Sequence, residues 1–192
     1  MLAGEQAGGA RSGQSACMSD YRETLRRWQS TALTIEDIAS LPDDDLDGWL
    51  WTRLCGVVDA DPTSSDLALA SAVGALTEPQ QAYFATRLFE GEVMNGGLHQ
   101  YFFNNPEPEL LGLVLDGYRI LGLDDQAAVI REVVGPLADR EASWRESLRD
   151  GRIETFMGSY PVSALPEFDD RIEEHDTDRL NFVRSRPDAF AI

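Results

Sequence analysis

The spacing of apolar residues predicts an all-α protein, a compact single-domain bundle of about 8–10 helices around a buried central helix at 106–121. Three observations carry that expectation. Apolar residues recur three and four positions apart in segment after segment. The alternation that marks strands is nearly absent. Ser, Thr, Asp, Pro and Gly stand where helices would start and stop. With 192 residues, 43% of them hydrophobic, the chain can bury one core. There is no internal repeat and no sustained heptad.

Residues 1–17 are rich in Gly, Ala and Ser and read as a disordered leader to a domain at 18–192, with Met18 a second candidate start. Ser19 can cap a helix over about 20–31 that carries Leu25 and Trp28. Thr34, with Asp37 three positions on, has the pattern of a capping box for a short helix at 35–40. Pro42 suits a first helical position, and three aspartates follow in the first turn. That helix should run to about Val58 with Leu46, Leu50, Leu54 and Val57 facing inward, until Asp61-Pro62 breaks it. A small-residue helix is expected at 66–75.

Thr77 and Gln80 form a second capping box, opening a helix that should end at Asn95-Gly96-Gly97. Residues 98–103 fit one further short helix. The stretch 106–121 is apolar almost all round, with Gly112 and Gly117 permitting close approach. Gly122 stops it, and Asp124 can cap a helix carrying Ile130 and Val134. Gly135-Pro136 should separate that helix from another reaching about Arg149. Residues 151–166 read as a long connection anchored by Phe156 and Tyr160. Two short acidic helices, about 167–175 and 178–185, are expected to close the chain before Pro187.

The densest chemistry lies in Glu90 to Asn105, where a carboxylate, an Asn-Gly-Gly break, His99, Gln100 and three aromatics share sixteen residues. Glu92 falls on the edge of an apolar stripe made by Ala85, Leu88, Phe89 and Val93, where a carboxylate needs hydrogen-bond donors. The N–H groups of Gly96, Gly97 and Leu98 begin the next helix and could supply them, with the dipole adding attraction. Asn95, Gln100 and Asn104 offer further amides, and Phe102 with its neighbours fills the core. Three readings fit: a structural latch, a small-ligand or catalytic pocket at Glu92, Asn95, His99 and Gln100, and a partner surface. An open pocket at those side chains would favour the second.

This pattern, Glu92-Val93-x-Asn95-Gly96-Gly97-x-x-Gln100-Tyr101-Phe102-x-Asn104, lies between an amphipathic helix and a long apolar one. It resembles the bacterial DNA-mimic-protein-like domain family, also catalogued as a domain of unknown function, over about residues 34–186. The resemblance implies an acidic all-helical fold, a dimer, and a role in occupying a DNA-binding protein in place of DNA. Its motif marks the fold junction rather than the mimic surface.

The charge is consistent with such a role. The chain holds 34 acidic residues against 16 arginines and no lysine, for a net charge of −18. Each half carries −9, so the acid is not a tail. A surface this negative repels nucleic acid and anionic membranes and attracts basic proteins. The competing explanation is an acidic helical protein whose charge is only background and whose partner is unrelated to DNA. Duplex DNA presents about one charge per ~1.7 Å of axis, whereas one helix face offers an acid every ~4.5–6 Å. Mimicry therefore needs several acidic elements side by side.

Two clusters qualify. One holds Glu36, Asp37, Asp43, Asp44, Asp45, Asp47, Asp59, Asp61 and Asp66; the other holds Glu167, Asp169, Asp170, Glu173, Glu174, Asp176 and Asp178. In the second, Glu167, Asp170, Glu174 and Asp178 would share a face if one helix ran through them. The proposed partner-binding residues are Asp43, Asp44, Asp47, Glu167, Asp170, Glu174 and Asp178. Aspartates at a helix start also have a purely local use.

No catalytic residue, cofactor or metal is assigned. His99 and His175 have no zinc-site spacing, and Cys17 and Cys55 form no CxxC. Two cysteines give no disulfide framework, which with the lack of a signal core suggests the cytoplasm. No apolar run reaches the roughly 18 residues of a membrane span.

Overall fold

The structure, a computed structural model, describes residues 23–58, 69–105, 108–138, 152–158 and 165–192. All regular structure among them is helical. The helices are α1 (23–30), α2 (Ile35–Ser40), α3 (Asp43–Val58), α4 (Leu69–Gly74), α5 (Glu78–Asn104) and α6 (Pro108–Leu121), followed by α7 (Asp124–Ala138), α8 (Ile153–Gly158), α9 (Pro166–Asp169), α10 (Asp176–Ser185) and α11 (Pro187–Phe190). The expected leader, Ser19, the break at Asp61-Pro62 and Tyr160 lie outside the described residues.

Both capping boxes form. Thr34 Oγ1 accepts the Asp37 N–H while the Asp37 carboxylate accepts the Thr34 N–H at 2.9 Å. The Thr34 hydroxyl also donates to the Asp37 carboxylate at 2.6 Å, and with the Thr34 N–H it holds that carboxyl below its ordinary range. At α5 the Gln80 side chain closes the box on the Thr77 N–H.

The core lies on both sides of α5. Tyr83, Phe84 and Leu88 face a cluster with Leu46, Trp49, Leu50 and Leu54 of α3 and with Leu180 and Val183 of α10. Ala85, Phe89, Val93, Leu98, Tyr101 and Phe102 face a second cluster with Val114 and Tyr118 of α6 and Ile130 and Val133 of α7. A helix buried on two adjoining faces cannot show simple amphipathic periodicity. For that reason α5, which touches α3, α4, α6, α8, α9, α10 and α11, holds the centre of the packing. The helix expected at the centre, 106–121, is present as α6. It lies along α5 but leaves Glu109, Gly112, Asp116 and Arg119 exposed on its outer side.

Other boundaries shift. Val58, not Val57, is buried at the end of α3. α7 runs through Gly135-Pro136, where a break was expected, although proline there cannot donate a helical hydrogen bond. The chain leaves helix after Asp169 and re-enters it at Asp176, so the first acidic helix is far shorter than 167–175. The C-terminus is tied back, with Leu33 and Ile192 exchanging both main-chain hydrogen bonds at 2.7 and 3.2 Å.

The two α6 glycines differ. A Cβ on Gly117 would stand 2.9 Å from Thr86 Cγ2 and 3.2 Å from the Ala82 backbone, so this glycine sets the α5–α6 approach. A Cβ on Gly112 would meet nothing within 4 Å. We expect Gly117→Ala to cost about 1–3 kcal/mol in urea unfolding and Gly112→Ala to add about 0.5–1 kcal/mol. Equal effects would remove this account of the contact.

Candidate functional site

The Asn-Gly-Gly junction is a partly exposed hydrogen-bonded corner in which Gln100 and Asn104 supply amides to Glu92 as its spacing suggests, while a main-chain donor turns elsewhere. Glu92 Oε2 accepts from Gln100 Nε2 at 2.7 Å and from Asn104 Nδ2 at 2.9 Å. The Leu98 N–H instead donates to Asp169 Oδ1 at 2.9 Å. The carboxylate at the start of the second stretch of α5 therefore comes from 71 residues away. Glycine is required twice. Gly97 has φ +75°, and a Cβ there would stand 2.7 Å from Asp169 Oδ2. A Cβ on Gly96 would run into the Gln100 amide, which folds back over it to reach Glu92.

Phe102 is buried, Asn95 is exposed without a partner among the described residues, and His99 is buried beside Asp169. Burial pulls the His99 pKa down, partly offset by Asp169, so the ring favours its neutral form. None of Glu92, Asn95, His99 and Gln100 lines the described cleft of about 1150 Å³. The Glu92 carboxylate is engaged by two amides within the junction.

A second carboxylate, two residues upstream, is the more consequential one. Glu90 and Arg179 are each 2% exposed, with Arg179 Nη1 at 2.5 Å from Glu90 Oε2. Tyr118 Oη donates to Glu90 Oε1 and the His175 N–H to Glu90 Oε2, both at 2.9 Å. The other Arg179 amine, Nη2, holds Asp176. Burial alone would lower the Arg179 pKa, but Glu90 and Asp176 together raise it. Burial, reinforced by Glu90, pushes the Tyr118 hydroxyl well up, so it stays a donor. Sequence reasoning passed over Glu90 and Arg179. The available signal was Arg179 standing next to Leu180, Phe182 and Val183, all buried.

A third carboxylate is likewise turned inward. Asp47 accepts from Arg87 Nε at 2.9 Å, from Arg87 Nη2 at 2.6 Å and from Tyr83 Oη at 2.5 Å. Burial opposes its charge, yet the Arg87 bonds and charge win and hold its pKa below the ordinary range. Arg87 also lies 4.3 Å over the Trp51 ring, which stacks on Phe84.

The acids of the two clusters thus divide. Asp43 pairs with Arg184 at 2.7 Å, Asp47 with Arg87, and Asp178 with the His175 ring at 3.0 Å. Asp44, Asp45, Asp170, Glu173 and Glu174 are exposed and have no ion-pair or hydrogen-bond partner among the described residues. The Glu167 side chain, with Asp59, Asp61 and Asp66, lies outside them. No single helix carries residues 167–178, because the chain forms no helix at 170–175. Instead, the two acidic clusters meet in space: Asp43, Asp44 and Asp47 of α3 and Asp176 of α10 line the same cleft. Among the described residues no group of three or more His, Cys, Asp or Glu could hold a metal ion, and no helix is long and apolar enough to cross a membrane.

Comparison with known proteins found one family model, described as DMP19-like protein, matching residues 74–186. The matched span includes the junction, Glu90, Arg179 and the acids of 169–178. No curated protein and no solved structure matches the chain.

Two outcomes test the internal pairs. Arg179→Met should cost about 3–5 kcal/mol in urea unfolding by leaving Glu90 buried and alone. Arg179→Met with Glu90→Leu should recover much of that. A mild single variant would show that the pair is not a keystone. Asp47 has a folded pKa below its unfolded value, so its contribution is present at neutral pH and lost as pH falls below about 4. Asp47→Asn should therefore lower Tm at pH 7 and shrink the loss of Tm between pH 4 and 2. A parallel acid profile in the variant would refute the linkage.

Proposed function

We propose, from the premise that this chain belongs to the DMP19-like protein family, that it is an acidic interaction module whose exposed carboxylates dock on the basic surface of a DNA-binding protein, in place of DNA. Family membership supports a DNA-mimic type of acidic protein. The observation that carries the reading is the sorting of charge. Arg87, Arg179 and Arg184 bind carboxylates at or below the surface, while Asp44, Asp45, Asp170, Glu173 and Glu174 face solvent without a cation.

Such a surface speeds encounter with a basic partner and discriminates against anionic ones. A transcription factor or nucleoid protein fits the chemistry. The partner's affinity should fall with ionic strength, since exposed charges are screened over ~8 Å at physiological salt. A homodimer would multiply the anionic surface toward the density of a duplex, where charges stand about 1.7 Å apart along the axis.

Affinity capture from lysate at low and high salt, with identification of the bound proteins, supplies the partner. We expect basic DNA-binding proteins that duplex DNA displaces. Reversing Asp44, Asp170, Glu173 and Glu174 together to arginine should weaken the captured partner by about tenfold or more, about 1.4 kcal/mol, with helicity unchanged by circular dichroism. Undiminished binding in that variant would reject the assigned surface.

A further inference from the structure

The bonds of the Asn-Gly-Gly junction leave one polar group there unused. Glu92, Gln100, Asn104 and the Leu98 N–H are all engaged. The Asn95 side-chain amide is exposed and has no hydrogen-bond partner among the described residues. An asparagine with a free amide, followed by a residue without a side chain, can react with its own main chain.

The chain holds four asparagines, and they differ in this respect. Asn104 gives its amide to Glu92. Asn105 is buried and precedes Pro106, whose ring nitrogen has no hydrogen to lose. Asn181 is exposed, but the buried Phe182 follows it inside α10. Asn95 alone joins an exposed, unpartnered amide to an exposed glycine. Its main chain is also placed for reaction. Gly96 (φ −158°, ψ 20°) and Gly97 (φ +75°) both leave helical geometry, so Asn95 is the last residue of the first stretch of α5. Ring closure needs a turn about Asn95 ψ, and no continuous helix beyond it has to bend. No Cβ stands on Gly96 to crowd the ring.

We propose that Asn95 is a self-modifying position, which the folded chain converts through a succinimide to aspartate and isoaspartate. The Gly96 main-chain nitrogen loses its proton to hydroxide and attacks Asn95 Cγ. The new N–Cγ bond closes a five-membered imide, the Cγ–Nδ2 bond breaks, and Nδ2 leaves as ammonia with a proton from water. Water then opens either carbonyl of the imide. The sum is asparagine and water giving aspartate, or isoaspartate, and ammonia.

The product acts on the corner that formed it. A carboxylate at position 95 lies three residues from Glu92 on one helix face, and at the negative end of the first stretch of α5, so two fields oppose it. Isoaspartate also inserts a carbon atom into the main chain just before Gly96 and Gly97, whose torsions aim the Leu98 N–H at Asp169. Conversion therefore loosens the Asp169 cap, and with it the start of the segment that carries Asp170, Glu173 and Glu174.

The test ages the full folded chain in mildly alkaline buffer, beside the same chain unfolded in guanidinium chloride. The intact mass should rise by one unit with release of ammonia. Peptide mapping should place the gain at residue 95 as both aspartate and isoaspartate, the second being the mark of the imide. The folded rate should rise with pH and lie within about tenfold of the unfolded rate. Asn95→Gln should remove the gain, and Gly96→Ala should slow it about tenfold or more, with helicity checked by circular dichroism. Asn95→Asp should lower Tm by about 1–4 °C, and amide exchange at Leu98 should quicken severalfold in the aged chain.

A folded chain that keeps Asn95 while the unfolded chain converts would overturn the proposal, because the fold would then be protecting the amide. A mass gain mapped to Asn104, Asn105 or Asn181 instead, or undiminished conversion in Gly96→Ala, would defeat it as well. Conversion at residue 95 with Leu98 exchange unchanged would reject the loosening of the cap.

Discussion

Where α5, α6 and α10 converge, the Glu90 carboxylate takes the Arg179 guanidinium, the Tyr118 hydroxyl and the His175 main-chain N–H at once. An ion pair this deep is costly to form and more costly to break, because each partner alone would be an uncompensated buried charge. It therefore acts less as glue than as a register pin. α10 can dock on α5 only where Arg179 reaches Glu90. That docking fixes Asp176 through the second guanidinium amine, and it fixes the chain entering α10 through the His175 N–H. The geometry of the acidic segment is a consequence of this pair.

The same logic recurs one turn away on α5, where Arg87 captures Asp47 of α3. α5 thus presents a carboxylate to α10 and a guanidinium to α3, and the two partner helices touch each other as well. Polar pairing between elements far apart in the chain is what brings the two acidic clusters to one cleft. Hydrophobic burial would hold the helices together, but it is tolerant of small slips. Charged pairs with hydrogen-bond geometry are not.

Local rules read well here because they concern neighbours in sequence. The capping boxes at Thr34 and Thr77, the break at Gly96-Gly97 and the helix at 108–121 each depend on residues within a few positions. The family resemblance rested on the junction, and that region lies inside the matched span. The partners of polar side chains were not legible, because nothing near Leu98 in sequence announces Asp169, and nothing near Glu90 announces Arg179. The central position of α5 was hidden for a related reason: a helix buried on two faces has no clear polar side to betray it. The acids of 167–178 looked like one helical face, yet Asp169 is spent as a helix cap and Asp176 as a counter-charge to Arg179.

That sorting bears on whether the net charge of −18 is background or use. Inward pairs do not change net charge, but they decide where the remainder is expressed. When Asp47, Asp169 and Asp176 are committed to the scaffold, the acids left without partners include Glu36, Glu78, Glu109, Asp124, Asp125 and Asp188 on other helices, and two local groups. Asp44 and Asp45 sit in the first turn of α3, and Asp170, Glu173 and Glu174 lie in the segment that runs directly into Asp176, which shares a cleft with Asp44. Charges separated by less than a screening length of ~8 Å act on a partner as one field, and neighbours such as Glu173 and Glu174 stand well within it. The scaffold's own ion pairs thus draw the boundary between acids that build the protein and acids that remain available to a partner.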